Sequence, residues 1–456
     1  AIHSLVLSNE PEERAKWDDP FLRNLFAEDL RKRFGTISEF NRNAGTKFAS
    51  FSELLKTGPE HPAVRYAFYD FRRRAFAEWH AWIARTVKEF FPEVKVSAKA
   101  MDVSMNDRPE DGIDAELFAE FSDYNGNDNY MFYGMGKWIS DWQRFSKGHD
   151  LQFSMRPNWI VNSENHIIKD GETRLIPGAH TYTATFQQYL QGVGGIVTWV
   201  WSQDRPNGKQ PLSGSIYQRP ESIIAQGRAA LDANRLVPEI SAFVTAEPKI
   251  ALLYSPSSFL QNTENYCAFR DEIYEALAFS GHKIGFISEK QLASNAFKQY
   301  KMIIAPAVSH LSESAAQGLA AFAKQGGIIC NSGNSFRCNP YGAPLKQKIP
   351  SVATPSGLHP EKAKKFWQEK ADSVETLPVR LELPGSSSKT GIFFRMVNTE
   401  NGWLINLVNY NKHPRTIRLR GDGSFYDLIA GKPFQTQMEL PPLKPLFLRF
   451  HTANKP

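Results

Sequence analysis

Short apolar strands alternate with amphipathic helices from residue 1 to about residue 235, and this alternation limits the possible folds more than any other feature of the chain. Strands joined by helical crossovers pair in parallel, because each helix returns the chain to the end of the sheet where the next strand begins. The candidate strands span residues 4–7, 94–98, 117–121, 159–161 and 196–199. The pattern therefore predicts an α/β fold with a barrel-type parallel sheet over residues 1–238.

Polar and acidic side chains follow these strands, where the active sites of (β/α) barrels are built. Residues 5–11 read Leu-Val-Leu-Ser-Asn-Glu-Pro, an apolar strand that ends in Asn9 and Glu10. A retaining glycosidase needs two carboxylates about 5–5.5 Å apart, one protonated to help the leaving oxygen and one ionised to attack the anomeric carbon. Two strand ends can hold such a pair on rigid elements. The other strand-end candidates are Asp102, Asp123 and the Asn162-Ser163-Glu164 segment.

The segments after Glu10 carry a family resemblance. Residues 34–41 read Phe-Gly-Thr-Ile-Ser-Glu-Phe-Asn, and residues 43–50 read Asn-Ala-Gly-Thr-Lys-Phe-Ala-Ser. With Pro62 and the 70–73 segment of the next helix, they resemble glycoside hydrolase family 42, the β-galactosidases, although the family's Trp is here Ala44. The resemblance is closest in the first 50 residues and implies that Glu10 is the catalytic acid/base. It also implies that Asn9 binds the sugar 2-hydroxyl.

The second carboxylate is predicted from strand order and residue type. Residues 159–166 read Trp-Ile-Val-Asn-Ser-Glu-Asn-His, which is a strand ending in an acidic residue. The resemblance places the nucleophile one βα unit before the last strand, and Glu164 is the acid there. The local sequence fits the wider clan of retaining glycosidases rather than family 42 itself. Asp123 and Glu120 are the alternative nucleophiles.

Residues 194–201 read as the last barrel strand, and the resemblance implies a Trp there as the floor under the reacting sugar. Only one of Trp199 and Trp201 can face the site if the strand is regular. His166 either binds sugar or orients Glu164. For each further candidate sugar ligand, an ordinary loop hydrogen bond is the alternative. These candidates are Asp102, Asp123, Tyr124, Asn165, His166 and Asp204.

The strand count predicts an incomplete barrel. In the clan that the resemblance indicates, the Asn-Glu pair ends the fourth strand and the nucleophile ends the seventh. Counting from residues 4–7 as the fourth strand makes residues 196–199 the eighth. We therefore expect strands one to three to come from an N-terminal segment upstream of Ala1, from a nicked piece or from a separate chain. Because an open sheet edge exposes unpaired backbone groups, residues 1–456 alone are expected to be inactive and prone to aggregate.

Two further domains are predicted. Residues 239–375 repeat the strand-helix pattern of a flavodoxin- or Rossmann-like domain, and without a Gly-x-Gly-x-x-Gly or Walker motif no nucleotide is expected. The resemblance makes this an oligomerisation domain of a homotrimer. The rival is a glutamine amidotransferase-like site with Cys330 as nucleophile and His282 or His310 nearby, although bulky residues before Cys330 disfavour the required sharp turn. Residues 376–456 read as a small antiparallel β-sandwich.

Charge and cysteine content narrow the remaining options. The net charge is +6, and Arg72, Arg73 and Arg74 form either a solvated helix face or an attraction for anionic sugars such as sulfated or uronic-acid glycans. The three cysteines have no disulfide or zinc spacing, and we expect free, mostly buried thiols. No apolar run reaches the roughly 20 residues that span a bilayer, and no nucleic-acid partner is indicated.

The predicted function is that of a retaining exo-glycoside hydrolase, which needs no metal or organic cofactor. The resemblance implies a β-galactoside substrate, cleaved from the non-reducing end by double displacement. Another β-glycoside or a sulfated, acidic galactan remains open. A second alternative is a non-catalytic carbohydrate-binding protein on a degenerate barrel.

Overall fold

A computed structural model describes residues 3–202, 214–355, 359–385 and 389–453. Its first unit is built on a five-stranded sheet whose neighbours pair in parallel and in chain order, β1-β2-β3-β4-β5. The strands are β1 (Ser4–Asn9), β2 (Lys95–Ala100), β3 (Asn125–Asn127), β4 (Ile160–Asn165) and β5 (Val193–Thr198). All five carboxyl ends therefore meet at one edge of the sheet.

Helices connect these strands, and the longest of them, α4, separates β1 from β2. A 3₁₀ turn (Pro109–Asp111) follows α5. The helices are α1 (Pro20–Phe34), α2 (Ile37–Ala44), α3 (Phe51–Thr57), α4 (Pro62–Phe90), α5 (Asp102–Asn106), α6 (Ala115–Phe121), α7 (Trp142–Met155), α8 (Gly178–Tyr189), α9 (Pro220–Arg235) and α10 (Val237–Thr245).

The sheet is open among the described residues, since β1 and β5 each pair on one side only. Apolar side chains on these edge strands are exposed: Val6 is 46% and Val197 57% accessible, and Trp159 beside β4 is 65% accessible. Strands buried on both faces of a parallel sheet normally hide such residues. The described residues of the first unit therefore leave the surface around these apolar side chains uncovered.

The strand predicted at residues 117–121 is wrong, because this segment is α6. The Asp114 side chain accepts the backbone N–H groups of Glu116 and Leu117 and so caps a helix that buries Phe118 and Ala119. The third strand is instead the polar segment Asn125–Asn127. It pairs with β2 and β4, and Gly126 lies so close to β2 that a Cβ there would stand 2.4 Å from the Ala98 carbonyl oxygen.

Neither interpretation of the arginine run on α4 holds. Arg72 is 5% accessible and pairs with Glu13. Arg73 bridges Asp70 and Asp114, each at 2.7 Å, and Arg74 pairs with Asp29 and Asp70. These guanidinium groups are already engaged by internal carboxylates, so the run is neither a solvated face nor a free site for anionic sugars.

The second unit has a parallel sheet of order β10-β9-β8-β6-β7, as expected of a doubly wound domain. The predicted alternation of strands and helices is present, and the Cys330 side chain on β9 is buried. The strands are β6 (Ile250–Tyr254), β7 (Ile284–Ser288), β8 (Met302–Pro306), β9 (Ile328–Ser332) and β10 (Val352–Ala353). The helices are α11 (Pro256–Gln261), α12 (Thr263–Ala278), α13 (Glu289–Ala293), α14 (Glu313–Lys324) and α15 (Pro360–Asp372).

The third unit pairs antiparallel strands in two sheets, β11-β14-β17 and β12-β13-β18-β15-β16, as predicted for a small sandwich. Its strands are β11 (Arg380–Glu382), β12 (Ile392–Thr399), β13 (Gly402–Asn409), β14 (Arg415–Arg420), β15 (Gly423–Asp427), β16 (Lys432–Pro433), β17 (Gln437–Leu440) and β18 (Pro445–Thr452). The domain boundaries at 238 and 375 stay predictions.

One core joins the three units. Trp142, Tyr274, Trp367 and Phe393 belong to a single buried apolar cluster. Within the described ranges, no helix has the length and apolar character needed to cross a membrane.

The thiols and the rival nucleophile can also be placed. Cys267, Cys330 and Cys338 are free, and burial is partial or complete for each, as predicted. Burial raises the pKa of the Cys330 thiol to about 11, so the thiolate that a nucleophile needs is scarce at neutral pH. This weakens the amidotransferase alternative.

Candidate active site

Both predicted catalytic carboxylates lie at irregularities of the sheet's carboxyl edge. The β1–β2 register shifts between Val6 and Asn9, just before Glu10, and the β4–β5 register shifts between Asn162 and Asn165, around Glu164. A bulge adds a residue to one strand and re-aims the side chains beside it. Glu10 has the left-handed φ of 47°, uncommon for a residue other than glycine, and its N–H donates to the Lys99 carbonyl oxygen at 2.9 Å.

Lys99 joins the two carboxylates. Its ammonium, on β2, donates to Glu10 Oε1 at 3.3 Å and to Glu164 Oε2. Lys99 is only 2% accessible, so these contacts are shielded from water. Because one nitrogen reaches both groups, the nearest oxygens of Glu10 and Glu164 are no more than roughly 6 Å apart, which is twice a normal hydrogen-bond length.

His166 holds the other oxygen of Glu164. Its Nε2 lies 3.0 Å from Glu164 Oε1, and its ring lies between those of Tyr130 (5.1 Å) and Trp199 (5.9 Å). Burial lowers the pKa of His166, which favours the neutral ring at pH 7. A neutral ring with its proton on Nε2 donates a hydrogen bond to Glu164 Oε1. His166 is therefore placed to orient Glu164, one of the two roles considered for it.

Asp128 is a further buried carboxyl group at this edge of the sheet, and no sequence motif indicated it. It follows β3, is 3% accessible, and its Oδ1 accepts the Asp102 N–H at 3.2 Å. Burial, and then the neighbouring Glu10 carboxylate, raise the pKa of Asp128 to about 8.

The electrostatic balance lowers the pKa of Glu10, whereas it raises the pKa of Asp128. Burial raises the pKa of Glu10, but the hydrogen bond from Asp128 and the Lys99 ammonium outweigh burial and hold the pKa below its usual value. The site thus contains three carboxyl groups, Glu10, Asp128 and Glu164, with one buried ammonium between them. Such a cluster can store a negative charge and a proton side by side.

Asp102 is already occupied by protein groups. The buried carboxylate accepts Arg144 Nε and Asn106 Nδ2, each at 2.9 Å, and the Arg144 guanidinium stacks over the Tyr130 ring at 5.2 Å. We therefore assign Asp102 a role in holding Arg144 and the backbone beside Asp128, in place of the predicted contact with sugar.

Asp123 and Tyr124 lie at the opposite edge of the sheet, before β3, because the strand expected to precede them is α6. Asp123 Oδ2 accepts the Val96 N–H at 2.8 Å, at the start of β2, and pairs with Lys88 at 2.7 Å. Tyr124 is buried. Glu120 lies on α6 and pairs with Lys290. These positions correct the prediction of Asp123 and Tyr124 as sugar ligands, and neither acid competes with Glu164.

The remaining candidates divide by exposure. Asn9 is exposed at the end of β1, whereas Asn165 is buried at the end of β4. Trp199 is 39% accessible beside His166, and Trp201 lies farther out, with its ring 6.5 Å from that of Tyr217. Trp199 is thus the better placed of the two as a floor for the sugar. Asp204 lies outside the described residues.

Sequence reasoning missed Lys99, Asp128 and Tyr130. The only signal for Lys99 was a charged residue inside a strand that is otherwise small and buried. Asp128 lies in the run Asn-Gly-Asn-Asp-Asn, which has the composition of a loop. In the part of the chain that the structure describes, no three His, Cys, Asp or Glu side chains are grouped to hold a metal ion.

The chain is similar to known proteins in its three-dimensional structure rather than in its sequence. No protein-family model and no curated protein matches the sequence. Among solved structures, an exo-carrageenase of glycoside hydrolase family 42 from Bacteroides ovatus matches with a TM-score of 0.82 at 20% identity, over 98% of this chain and 66% of that one. The chain has the family 42 fold.

Two β-galactosidases support the same conclusion. The enzyme from Bacillus circulans sp. alkalophilus has a TM-score of 0.74 at 13% identity, over 97% of this chain and 78% of that one. A catalytic mutant of a family 42 enzyme from G. stearothermophilus has a TM-score of 0.73 at 14% identity, with the same coverage. The chain therefore spans about two thirds to three quarters of the proteins that share its family 42 fold.

Proposed function

We propose that this chain carries the catalytic carboxylates of a retaining exo-glycoside hydrolase that acts on β-galactosides. The observation that supports this most strongly is the pair Glu10 and Glu164, which project from two strands at the carboxyl edge and share the Lys99 ammonium. Their separation of no more than roughly 6 Å suits direct attack by one carboxylate, since inverting enzymes hold theirs about 6.5–9.5 Å apart.

The reaction proceeds by double displacement. Glu164 attacks the anomeric carbon while Glu10 gives a proton to the departing glycosidic oxygen, and a glycosyl-enzyme forms. Glu10 then takes a proton from water as the water displaces Glu164. The hydrogen bond from His166 and the contact with Lys99 keep Glu164 ionised and aimed at the sugar.

A galactan of the carrageenan type is a second candidate substrate. The likeness to the Bacteroides ovatus exo-carrageenase, with a TM-score of 0.82, exceeds the 0.74 of the Bacillus circulans β-galactosidase. Both candidates share a terminal β-linked galactose, so they differ in what surrounds that sugar rather than in the chemistry of cleavage.

A panel of aryl β-glycosides and carrageenan oligosaccharides, assayed with the closing barrel strands proposed below also present, tests the activity and its specificity. We expect turnover of the galactosides, with the β-anomer released first when the products are followed by NMR. Glu164→Ala should abolish turnover, and azide should restore it with formation of the α-galactosyl azide. Glu120→Gln, on the outer helix α6, is the matched control and should retain activity. Binding of the oligosaccharides without turnover by the unaltered protein would favour a non-catalytic lectin instead.

We also propose that the open sheet corresponds to strands four to eight of a closed (β/α)8 barrel. The support is five consecutive parallel strands with unpaired outer edges among the described residues, together with the exposed Val6 and Val197. Three more parallel strands would pair both edges and cover these side chains. Residues 1–456 alone should be inactive and aggregate, and become active when the closing strands are restored. A soluble, active preparation of this chain alone would contradict the proposal.

For assembly, we propose a homotrimer in which the unit of residues 239–375 contacts a neighbouring barrel. Light scattering should give three times the protomer mass, and a clean monomer mass would reject it.

A further inference from the structure

We propose that the second unit carries a binding site for a neutral mono- or disaccharide, separate from the candidate active site of the first unit. The site is a crevice of about 570 Å³ at the carboxyl edge of the second sheet. This volume lies within the range of small-molecule pockets. Sugar binding here is a property of the folded chain and does not rest on the proposed glycosidase activity.

The crevice lies where doubly wound sheets bind their ligands. The chain runs from β6 to β7 in one direction along the sheet and from β8 through β9 to β10 in the other, so the strand order reverses between β6 and β8. Ligands of open α/β sheets bind outside the carboxyl ends of the strands at such a switch point. Asn262 before α12, Ala307 after β8, Ser332 at the end of β9 and Thr354 after β10 all line the crevice. Segments from separate strand ends thus build one concave surface.

Two turns with left-handed backbone form the floor of the crevice. The φ of Ala307 is 46° and that of Gly333 is 57°. The Ala307 N–H donates to the Ser332 carbonyl oxygen at 3.1 Å, and a Cβ at Gly333 would stand 3.1 Å from the Ala307 Cβ and 3.2 Å from the Phe269 ring. A left-handed φ is uncommon for alanine and persists only where the surrounding structure holds it in place. The floor is therefore tightly packed and pre-formed.

Polar side chains on the walls have hydrogen-bonding capacity that the protein does not use. Asn262 Nδ2 donates to Ser309 Oγ at 3.3 Å, and Asn265 Nδ2 donates to Asn262 Oδ1 at 2.9 Å, which orients both amides. Among the described residues, the half-buried Glu272 carboxylate and the Asn334 amide have no hydrogen-bond or ion-pair partner. The polar groups of the crevice are three amides, one carboxylate and two hydroxyls, from Asn262, Asn265, Asn334, Glu272, Ser332 and Thr354.

These side chains indicate the chemistry of the ligand. None of the described residues that line the crevice is Lys or Arg, so a phosphate, sulfate or carboxylate group would find no cation to pair with. A single carboxylate is also too few for a divalent metal ion. Amides and hydroxyls both donate and accept hydrogen bonds, as a ring of sugar hydroxyls requires, and the Glu272 carboxylate accepts them. Phe269 and Trp367 provide an apolar wall for the C–H face of the sugar. The lining therefore fits a neutral pyranose.

Calorimetric titration with galactose and lactose tests the site, using the Glu164→Gln variant of the chain with the closing barrel strands present so that lactose stays intact. We expect a binding event that Glu272→Ala weakens about tenfold or more, the scale of a lost hydrogen bond to a charged group. Asn334→Trp, which fills the crevice from its exposed rim, should abolish the same event. Glu264→Ala is the matched control, because Glu264 is exposed in the first turn of the same helix and does not line the crevice. It should leave the affinity unchanged.

Several outcomes would overturn the proposal. Unchanged affinity in both Glu272→Ala and Asn334→Trp would mean that the sugar binds elsewhere. A galactose sulfate that binds more tightly than galactose would contradict the assigned ligand class. Loss of binding only in Asn334→Trp, with an altered light-scattering mass, would show that the crevice contacts another copy of the chain.

The sugar site and the proposed function can fail separately. With Glu164 intact, Glu272→Ala should cleave an aryl galactoside as fast as the unaltered protein and unfold at the same Tm, since Glu272 lies in another unit than Glu10 and Glu164. Slower cleavage that parallels a lower Tm would mean that Glu272 supports the fold and would count against the site. If sugar binding depends on Glu272 but no glycoside is cleaved, the proposed function fails and the sugar site stands.

Discussion

Two clusters in this molecule each pair carboxylates with a buried cation, to opposite effect. Between the three units, Arg395 on β12 donates through Nη1 and Nη2 to both oxygens of Asp150 on α7, at 3.0 and 2.5 Å, and Tyr274 on α12 donates to Asp150 at 2.6 Å. At the edge of the first sheet, Lys99 serves two carboxylates with one ammonium. The first cluster matches a planar fork to one carboxylate, whereas the second divides a point charge between two.

The difference decides what each cluster can do. Both Asp150 oxygens have donors, so its charge is fixed and a proton has no place to move. In the site, the Lys99 ammonium is divided between Glu10 and Glu164, and His166 faces the other oxygen of Glu164, so Glu10 lacks the full pairing that Asp150 has. Full pairing of a buried charge therefore fixes structure, and shared pairing is what allows chemistry here.

Replacing one carboxylate in the site should have the largest effect. For Glu164→Gln we expect kcat on an aryl galactoside to fall about 10⁴-fold or more, the scale seen when a nucleophile is removed. Thermal unfolding should show a Tm within a few degrees of the unaltered protein, because Gln keeps the shape of Glu and still accepts one of its two hydrogen bonds. A loss of stability that parallels the loss of activity would show that Glu164, like Asp150, mainly stabilises the fold.

Breaking the other cluster should do the reverse. Arg395→Met leaves the Asp150 charge buried without its fork, and we expect the free energy of unfolding in urea to fall by about 3–5 kcal/mol. The kcat of the folded fraction at low temperature should stay within about tenfold. Arg420→Met, which breaks the exposed pair with Glu382 in the same unit, is the control and should cost less than about 1 kcal/mol. Equal effects of the two arginines would show that the buried cluster is not special.

Lys99→Met sharpens the comparison by removing the shared cation. Without it both carboxylates ionise less readily, so the acidic limb of the pH profile, which reports ionisation of the nucleophile, should move to higher pH by about one unit. The kcat/KM at pH 6 should fall about tenfold. Lys99→Arg keeps the charge and should leave the limb within about half a unit. An unmoved limb in Lys99→Met would show that Lys99 does not control these carboxylates.

The second unit could be predicted well because the composition of its strands distinguishes them from the segments around them. Its buried strands β6 to β9 are short runs rich in Ile, with Leu and Ala, and such runs between helices are what predicts this strand-helix unit. The ends of β1 and β4 were predictable for a related reason, since an apolar strand precedes each carboxylate. Glu10 and Glu164 could thus be located from the sequence alone.

The groups that surround those carboxylates could not be located from the sequence alone. β3 is Asn-Gly-Asn and forms because its neighbours on both sides supply partners, which no local pattern reveals. With β3 misplaced, Asp123 was set at the wrong edge and Asp128 was overlooked. Lys99 is a partner of Glu10 across 89 positions of sequence, and only the pairing of β1 with β2 brings the two together.

The smallest effect that we expect is on the pH dependence of stability, and its sign separates the two clusters once more. The folded-state pKa of Asp128 is about 8, above the 3.8 of an ordinary Asp, so the folded protein keeps a proton that the unfolded chain has lost. Stability from this group is therefore present at low pH and declines as pH rises from about 4 to about 8. Asp128→Asn removes the decline, and between pH 5 and pH 8 the urea midpoint of the variant should gain on that of the unaltered protein. Arg395→Met should differ from the unaltered protein by a nearly constant amount over that range. A constant difference for Asp128→Asn as well would mean that Asp128 is ionised in the folded protein, and that the site holds no stored proton.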